Sequence, residues 1–238
     1  MRAASARAYG RCMSNFVITE ARLSPPSAGW LRVFALVYDP FLWLGEIAGM
    51  RRRRRELVSA ARGRVLEIGA GTGLNIAHYP DGITELVLAE PEPAMRRYLA
   101  RRLSRCARPA RIVDAAAECL PLPDDSVDTV VSTLVLCTVD DLDAAIHEIA
   151  RVLRPGGQLL FIEHVRASSR FLSACQDKLV VPWRRFAAGC VCNRPTGEVL
   201  RGRGFTVTAE HAAWRAMPPI VRPLVTGRAQ ICVGHSIR

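Results

Sequence analysis

The chain has 238 residues, half of which are hydrophobic, and it carries a formal net charge of +11. A chain of this length and composition can bury the core of an α/β domain, which excludes intrinsic disorder as its main state. The positive charge suits nucleic acid or an anionic membrane surface, but only one of the 33 basic residues is a lysine. Because a composition rich in arginine and alanine is also typical of a GC-rich genome, the charge alone selects no partner.

Residues 1–29 are predicted to form a disordered extension. They are rich in arginine and serine, lack the apolar core of a secretory signal, and end in the helix-breaking sequence "LSPPSAG". Met13 is an alternative start of the chain. Residues 30–238 are predicted to form one domain, in which residues 30–60 make a lid of one or two helices, with Asp39 and Pro40 as the break between them.

From Arg64 onward, apolar strands alternate with helices. Strands are predicted at "RVLEIG", "ELVLAE", "ARIVDA", "VDTVVSTLVL" and "QLLFIEHV", and helices at "LNIAHY", "PAMRRYLARRLSRC" and "PTGEVLRGRG". A further helix is capped by Asp140 or Asp141 and ended by "RPGG". This alternation predicts a parallel, doubly wound sheet, and two closing strands, "FTVTAEHAAW" and "AQICVG", predict an antiparallel edge.

The turn after the first strand carries glycines at positions 69, 71 and 73, within "RVLEIGAGTGLN". A dinucleotide fingerprint needs a further glycine where this chain has Leu74, so the turn is not typical of a pyrophosphate site. Glu67 would repel a pyrophosphate but suits a ligand with a cationic end, such as the amino group of S-adenosyl-L-methionine. Glu90, at the end of the second strand, can accept hydrogen bonds from both hydroxyls of a ribose. Met95, Ala117 and Glu118 are candidates for an adenine pocket.

Four segments, "VLEIGAGTGLN", "LAEPEPAM", "AECLPLPDDSVDTVV" and "EIARVLRPGGQLLFIEHV", resemble the class I S-adenosylmethionine-dependent methyltransferases. Three others, "STLVLCTV", "FIEHV" and "AAGCVCNRPT", resemble a narrower group of bacterial small-molecule methyltransferases and vertebrate methyltransferase-like proteins that methylate alkyl thiols. The resemblance implies an α/β, Rossmann-like, seven-stranded sheet of order 3-2-1-4-5-7-6, with the last strand antiparallel and an N-terminal helical lid.

We assign twelve residues to the cofactor site: Glu67, Gly69, Ala70, Gly71, Gly73, Asn75, Glu90, Pro91, Met95, Ala117, Glu118 and Thr133. Many relatives carry an aspartate where this chain has Ala116. Recognition of the adenine amine would then come from Asp114 or Glu118.

The acceptor site is expected at the carboxyl ends of the fourth and fifth strands, where ligands of open α/β sheets bind. The candidates at these ends are Thr133, Leu134, Cys137, Glu163 and His164. Tyr38 in the lid and Arg194 in the N-R-P turn are further candidates. We assign catalysis to His164, as a base or as a group that orients the acceptor; the alternative is a histidine that only caps a strand. Three other candidates also have a purely structural alternative. Cys137 would then be a packed cysteine, Tyr38 a tyrosine of the core, and Arg194 the partner in a structural salt bridge.

The eight cysteines form no C-x-x-C pair and no zinc-type spacing with histidine, so we expect reduced thiols and no metal. A reactive pair of Cys190 and Cys192 is a minor alternative to two reduced, structural cysteines. No uninterrupted apolar stretch reaches about 18 residues, which argues against a membrane span. We expect a cytoplasmic protein, with peripheral membrane contact through residues 41–55 as an option, since apolar residues there precede five arginines. A solvated helix end is the alternative, and nucleic-acid binding is disfavoured.

The predicted function is therefore transfer of a methyl group from S-adenosyl-L-methionine to a small, lipophilic acceptor, with a thiol as one candidate. A lipid or quinone methyltransferase at the membrane surface and a non-catalytic cofactor-binding protein are the alternatives. The sequence leaves open the accepting atom, the need for a general base and the oligomeric state.

Overall fold

A seven-stranded sheet forms the centre of the computed structural model, which describes residues 27–106 and 108–231. The strands run in the order β3-β2-β1-β4-β5-β7-β6. Their bounds are β1 Gly63–Ile68, β2 Ile83–Ala89, β3 Arg111–Val113, β4 Val127–Thr133, β5 Leu153–His164, β6 Phe205–Ala213 and β7 Pro223–Ile231. β1 to β5 are parallel, and β7 is antiparallel to both β5 and β6. The predicted sheet order and the antiparallel last strand are confirmed.

Helices cover both faces of the sheet and its carboxyl edge. Their bounds are α1 Ala28–Gly45, α2 Arg51–Val58, α3 Pro93–Leu103, α4 Leu142–Val152, α5 Arg170–Phe186 and α6 Thr196–Gly202. Short 3-10 turns lie at Ile76–His78 and Pro219–Val221. Asp141 caps α4, since its side chain accepts a hydrogen bond from the Ala144 N–H. The α5 helix was not predicted from the sequence.

The inner strands are apolar on both sides, because a parallel sheet covered by helices is buried on both faces. Leu66 and Ile68 of β1 join the core beneath α4 and α6, whereas Val65 joins the core beneath α2 and α3. This alternation holds the strands in register, so that the carboxyl ends of β1, β2, β4 and β5 meet at one edge.

Two predicted elements differ in the structure. The helix predicted after the glycine turn is only the 3-10 turn Ile76–His78, because Pro80 forces Tyr79 into an extended conformation. The last strand begins at Pro223, before the predicted Ala229, and its predicted end at 232–234 lies outside the described residues. Most of the predicted extension, 1–29, also lies outside them.

The predicted break in the lid at Asp39 and Pro40 is wrong, because α1 continues through Pro40 to Gly45. The helical path instead changes at Gly49, inside the π-helical segment Glu46–Met50, where φ is 132°. A side chain rarely adopts that conformation, so the glycine sets the position of the bend. Pro40 only removes one backbone hydrogen-bond donor from the helix, and its own φ is compatible with a helix. A φ of 132° at Gly49 lies outside the helical region, so the helical path has to change there.

Candidate functional site

A cavity of about 460 Å³ opens along the carboxyl edge of the sheet. Its walls come from the ends of the central strands, from α1 and α5, and from the segments 187–190 and 214–221. Most predicted site residues line it: Tyr38, Gly69, Gly71, Glu90, Pro91, Met95, Ala117, Glu118, Leu134, Cys137 and His164. The remaining predicted residues are not part of this wall: Glu67, Ala70, Gly73, Asn75, Thr133, Glu163 and Arg194.

The glycine loop lets the backbone approach the cavity. Gly69 has a φ of 54°, and a Cβ on it would lie 2.5 Å from Val135 Cγ2, so a side chain there would collide with the loop after β4. Gly71 has a φ of 56°, but a Cβ on it would find no described atom closer than 3.9 Å. Because Gly71 lines the cavity, a ligand can approach the backbone closely at this position.

Glu90 lies where β2 ends, and its carboxylate is oriented by the backbone. Oε2 accepts a hydrogen bond of 2.7 Å from the Gly71 N–H, and Oε1 accepts one of 2.9 Å from the Glu92 N–H. Burial raises the pKa of this carboxyl, and the two backbone donors oppose that shift. A carboxylate has about four acceptor positions, so both oxygens can still accept ligand hydroxyls.

The structure distinguishes Asp114 from Glu118, the two acidic candidates for contact with the adenine amine. Asp114 is held by Arg96 through two hydrogen bonds of 2.7 Å and does not line the cavity. Glu118 does line it, and its Oε1 accepts a hydrogen bond of 2.9 Å from the Asp140 N–H. Ala116 and Ala117 form the adjoining wall. Of these two carboxylates, only Glu118 is therefore placed to contact a ligand in the cavity.

A buried polar network lies beneath the glycine loop and includes three predicted cofactor residues. The Asn75 amide donates to Glu67 Oε1 at 2.9 Å and to Thr133 Oγ1 at 3.0 Å. The Tyr79 hydroxyl donates to Glu67 Oε2 at 2.7 Å. Burial raises the pKa of Glu67 to about 7, although both hydrogen bonds lower it. Glu67 is thus engaged by the protein itself, and its contact with a ligand amino group stays a prediction.

Arg54 connects this network to the lid and was missed in the sequence. Its guanidinium contacts Glu46 Oε1 at 3.0 Å, Thr133 Oγ1 at 3.0 Å and Asn75 Oδ1 at 3.2 Å. Only 3% of Arg54 is exposed, whereas Arg51, Arg52 and Arg55 are exposed. A run of five arginines carries no signal that singles out its fourth member.

The lid helix is also fixed at its middle. Asp39 accepts a hydrogen bond of 2.6 Å from the Thr72 hydroxyl and pairs with Arg102 at 2.7 Å. The inner side of α1, with Phe34, Tyr38 and Leu42, thereby covers the cavity. Burial raises the pKa of the Tyr38 phenol, so this hydroxyl stays protonated.

The half of the cavity away from Glu90 is mostly apolar, and its floor is the loop after β4. Glu163 holds that loop: its carboxylate accepts from the Ser132 hydroxyl at 2.6 Å and from the Cys137 N–H at 3.0 Å. Leu134 has a positive φ of 64° and lines the cavity. Arg194 donates to the carbonyls of Leu136 at 2.6 Å and Val139 at 2.7 Å. Glu163 and Arg194 therefore shape the floor without forming the cavity wall.

Three residues distant in sequence meet on this floor. His164 Nδ1 lies 3.4 Å from both Cys137 Sγ and Cys190 Sγ, and the two sulfurs are 4.0 Å apart. The His164 ring stacks on Trp214. Burial raises the pKa of Cys137 well above its ordinary value and that of Cys192 to about 12, so neither free thiol is a ready nucleophile. Cys190 Sγ has Cys137 Sγ as a neighbour at 4.0 Å, and a reactive pair of Cys190 with Cys192 stays a prediction.

The chain is similar to known methyltransferases in sequence and fold. Residues 66–161 match a family model described as a methyltransferase domain. The chain is 32% identical over 193 residues to human thiol S-methyltransferase TMT1A, and 34% identical over 196 residues to human thiol S-methyltransferase TMT1B. Each match covers 76% of this chain and 79% of the relative.

A crystal structure from Thermotoga maritima has a similar fold. It is described as an S-adenosylmethionine-dependent methyltransferase and possible histamine N-methyltransferase. The TM-score is 0.64 and the sequence identity is 21%. The match covers 85% of this chain and 98% of the Thermotoga chain. The family model and the two human relatives show that the chain belongs to the S-adenosylmethionine-dependent methyltransferases.

Proposed function

We propose that this methyltransferase acts on the sulfur of a small, lipophilic thiol. The observation that carries the proposal is the division of one cavity into two halves, with Glu90 and the glycine loop on one side and an apolar pocket floored by Cys137, His164 and Cys190 on the other. Two relatives that the chain matches over three quarters of its length are named thiol S-methyltransferases.

On the first side, the residues fit the cofactor. Glu90 would accept the ribose hydroxyls, Gly71 would leave room for the ligand beside the backbone, and Met95, Ala117 and Glu118 would border the adenine. When bound, S-adenosyl-L-methionine supplies a methyl group on a positively charged sulfur. We assign Glu67, Asn75 and Thr133 an indirect role, because their network supports the loop from below.

On the second side, the residues select an apolar acceptor and exclude water. Leu42, Trp183, Trp214 and Met217 line the cavity and pack in one cluster with Cys137 and Cys190. An apolar surrounding favours a reaction in which an anionic sulfur and a sulfonium lose their charges together. The same surrounding opposes ionisation of the acceptor thiol, so a group on the floor has to assist it.

We assign that assistance to His164, the histidine in the cavity wall. Its Nε2 has no hydrogen-bond partner among the described residues. His164 can act in two ways: a ring nitrogen can take the thiol proton, or the ring can hold an ion that binds the sulfur. Either way, the acceptor sulfur would lie on the floor beside Leu134 and Cys137.

An acceptor panel tests the proposed function. Release of S-adenosylhomocysteine is followed with a lipophilic alkyl thiol, the alcohol and the amine of the same chain length, and a short polar thiol. We expect kcat/KM for the lipophilic thiol to exceed that for the alcohol by at least about 100-fold, since a thiol ionises near neutral pH and an alcohol does not. Preference for the amine or alcohol, or for a quinone or lipid added to the same panel, would contradict a thiol acceptor.

We also propose that the outer side of α1 rests on an anionic membrane surface. Leu36, Trp43, Leu44 and Ile47 are 57–65% exposed and recur at helical spacing, which places them on one stripe. Phe41 contacts Phe186 of α5, so the apolar surface continues onto that helix. Exposed arginines at 51, 52 and 55 follow directly. A soluble monomer rarely exposes such a stripe, whereas an apolar stripe beside arginines suits an anionic lipid surface.

The segment Gly29–Val58 is long and apolar enough to cross a membrane by length and composition, and 33% of its most apolar window is buried. We favour surface contact, because the other side of α1 covers the cavity and Asp39 fixes it to Thr72. This placement would let a lipophilic acceptor enter from the lipid. A cytoplasmic location stays a prediction.

Sedimentation with lipid vesicles measures this contact. The full chain should bind vesicles that contain anionic lipid, and Leu36→Ser with Leu44→Ser should weaken binding at least about tenfold, since each buried leucine contributes about 1.5–3 kcal/mol. Arg52→Glu with Arg55→Glu should weaken binding to anionic vesicles only, whereas the control Arg105→Glu, on an exposed residue after α3, should not. Equal binding of the serine variant would argue against the proposal, as would a wild-type dimer that the same serines dissociate.

A further inference from the structure

We propose that Cys137, Cys190 and His164 form a zinc site whose fourth coordination position faces the cavity and binds the acceptor sulfur. The ion site stands on the geometry of these three side chains, and its role toward the acceptor rests on the proposed thiol methylation. The sequence spacing gave no indication of it, and the expectation that the chain binds no metal is revised here.

The three donor atoms already stand at the separations that tetrahedral zinc requires. With Zn–S bonds of about 2.3 Å and Zn–N bonds of about 2.0–2.1 Å, tetrahedral angles give about 3.8 Å between two sulfurs and about 3.5 Å between sulfur and nitrogen. The observed distances are 4.0 Å between the sulfurs and 3.4 Å from each sulfur to His164 Nδ1. All three residues are buried and line the cavity.

Without an ion, these atoms compete with one another. His164 Nδ1 has one lone pair, so only one of the two thiols beside it can donate to it at a time. A zinc ion would satisfy both sulfurs and the nitrogen together. Two thiolates also neutralise the charge of Zn²⁺, so the apolar floor would bury no net charge before the acceptor thiolate binds.

The surrounding backbone keeps the ligands in place. Glu163 accepts hydrogen bonds from the Leu136 and Cys137 N–H groups, at 3.1 and 3.0 Å. The Val191 N–H donates to the Cys137 carbonyl at 2.7 Å, which ties the two cysteine-bearing segments together. His164 ends β5 and is held by its pairing with Leu224 of β7. Such preorganisation is what a three-ligand site with an open position needs.

The site solves the ionisation problem of the acceptor half. The acceptor thiol would bind the fourth position and release its proton to solvent, since a coordinated thiol is deprotonated. The sulfur then uses a lone pair to form the new S–C bond as the methyl group leaves the cofactor sulfur. The product is a neutral thioether, a weak zinc ligand, and therefore dissociates.

Zinc binding to the reduced, chelator-treated full chain is the first measurement. Titration calorimetry and elemental analysis should give one Zn²⁺ per chain. Cys137→Ser and Cys190→Ser should each weaken the affinity at least tenfold, and Cys192→Ser, a buried cysteine of the same segment, should leave it unchanged. Co²⁺ in place of Zn²⁺ should give the visible spectrum of a tetrahedral thiolate site. In the wild-type chain, Zn²⁺ should protect Cys137 and Cys190 from alkylation, which tests the site without any variant.

Stoichiometric binding that Cys137→Ser and Cys190→Ser do not weaken would overturn the site, as would no binding at all. A reduced chain that ignores Zn²⁺ but joins Cys137 to Cys190 on oxidation would show a redox pair in its place. Zinc binding without methylation of any thiol would leave the ion site standing and remove the proposed acceptor. A metal-free chain that methylates thiols as fast as the zinc-loaded chain would keep the proposed function and overturn the role of zinc in it.

Discussion

Replacing Glu90 by alanine is expected to weaken the binding of S-adenosyl-L-methionine by about 100- to 10,000-fold. Hydrogen bonds to a charged group contribute about 1.5–3 kcal/mol each, and the ribose presents two hydroxyls to this carboxylate. The variant also removes the acceptor of the Gly71 N–H, which lies 2.7 Å from Glu90 Oε2, so the glycine loop loses the bond that sets its position. Titration calorimetry with the purified full chain measures the affinity.

Asp114→Ala is the matched control for this experiment. Asp114 follows β3 as Glu90 follows β2, but it is mostly exposed and pairs with Arg96 outside the cavity. Its removal should leave the affinity within about twofold, as for a surface ion pair of about 0–1 kcal/mol. If Glu90→Ala keeps the wild-type affinity while its thermal unfolding shows a folded chain, the ribose assignment is wrong.

The sequence predicted the sheet well because its signals are local. Apolar runs bounded by glycine and proline mark β1 to β5, and the resemblance to the methyltransferases supplied the order of the strands. The bend of the lid was misplaced, because a proline is the conspicuous helix breaker, whereas the helical path changes at Gly49, where φ is 132°. The extent of β7 was set by its pairing with β5 and β6, which is tertiary information.

In the site, local motifs identified the residues of the cavity wall better than those behind it. Gly69, Gly71 and Glu90 were predicted from their positions at strand ends, and all line the cavity. The cluster on the floor was not predictable from spacing, since Cys137 and Cys190 are 53 residues apart and meet His164 only through the fold. Arg54 was hidden among five arginines for the same reason: its burial depends on Glu46 and Thr133.

Arg54→Ala is expected to lower the free energy of unfolding by about 3–5 kcal/mol, because it leaves the buried Glu46 carboxylate without its cation. Glu46 is only 6% exposed and lies 3.0 Å from the guanidinium. The variant also removes the donors to Asn75 and Thr133, so the network under the glycine loop loses its link to the lid. For a chain of this size, the loss corresponds to a fall in Tm of about 10 °C. Denaturant unfolding followed by circular dichroism measures it.

Two further variants distinguish the effect of the buried Arg54–Glu46 pair from the effect of the total charge of the five arginines. Arg55→Ala removes an exposed neighbour and should change stability by no more than about 0.5 kcal/mol. The double change Arg54→Met with Glu46→Leu should recover much of the loss, because two apolar side chains of similar volume leave no unpaired charge in the core. A stability of Arg54→Ala within about 1 kcal/mol of wild type would show that water reaches Glu46 and that the other contacts of the lid, such as Asp39 with Thr72, suffice to hold it. Since the link runs from the lid to Asn75, we also expect the folded Arg54→Ala chain to bind S-adenosyl-L-methionine more weakly than wild type, whereas Arg55→Ala should bind it equally well.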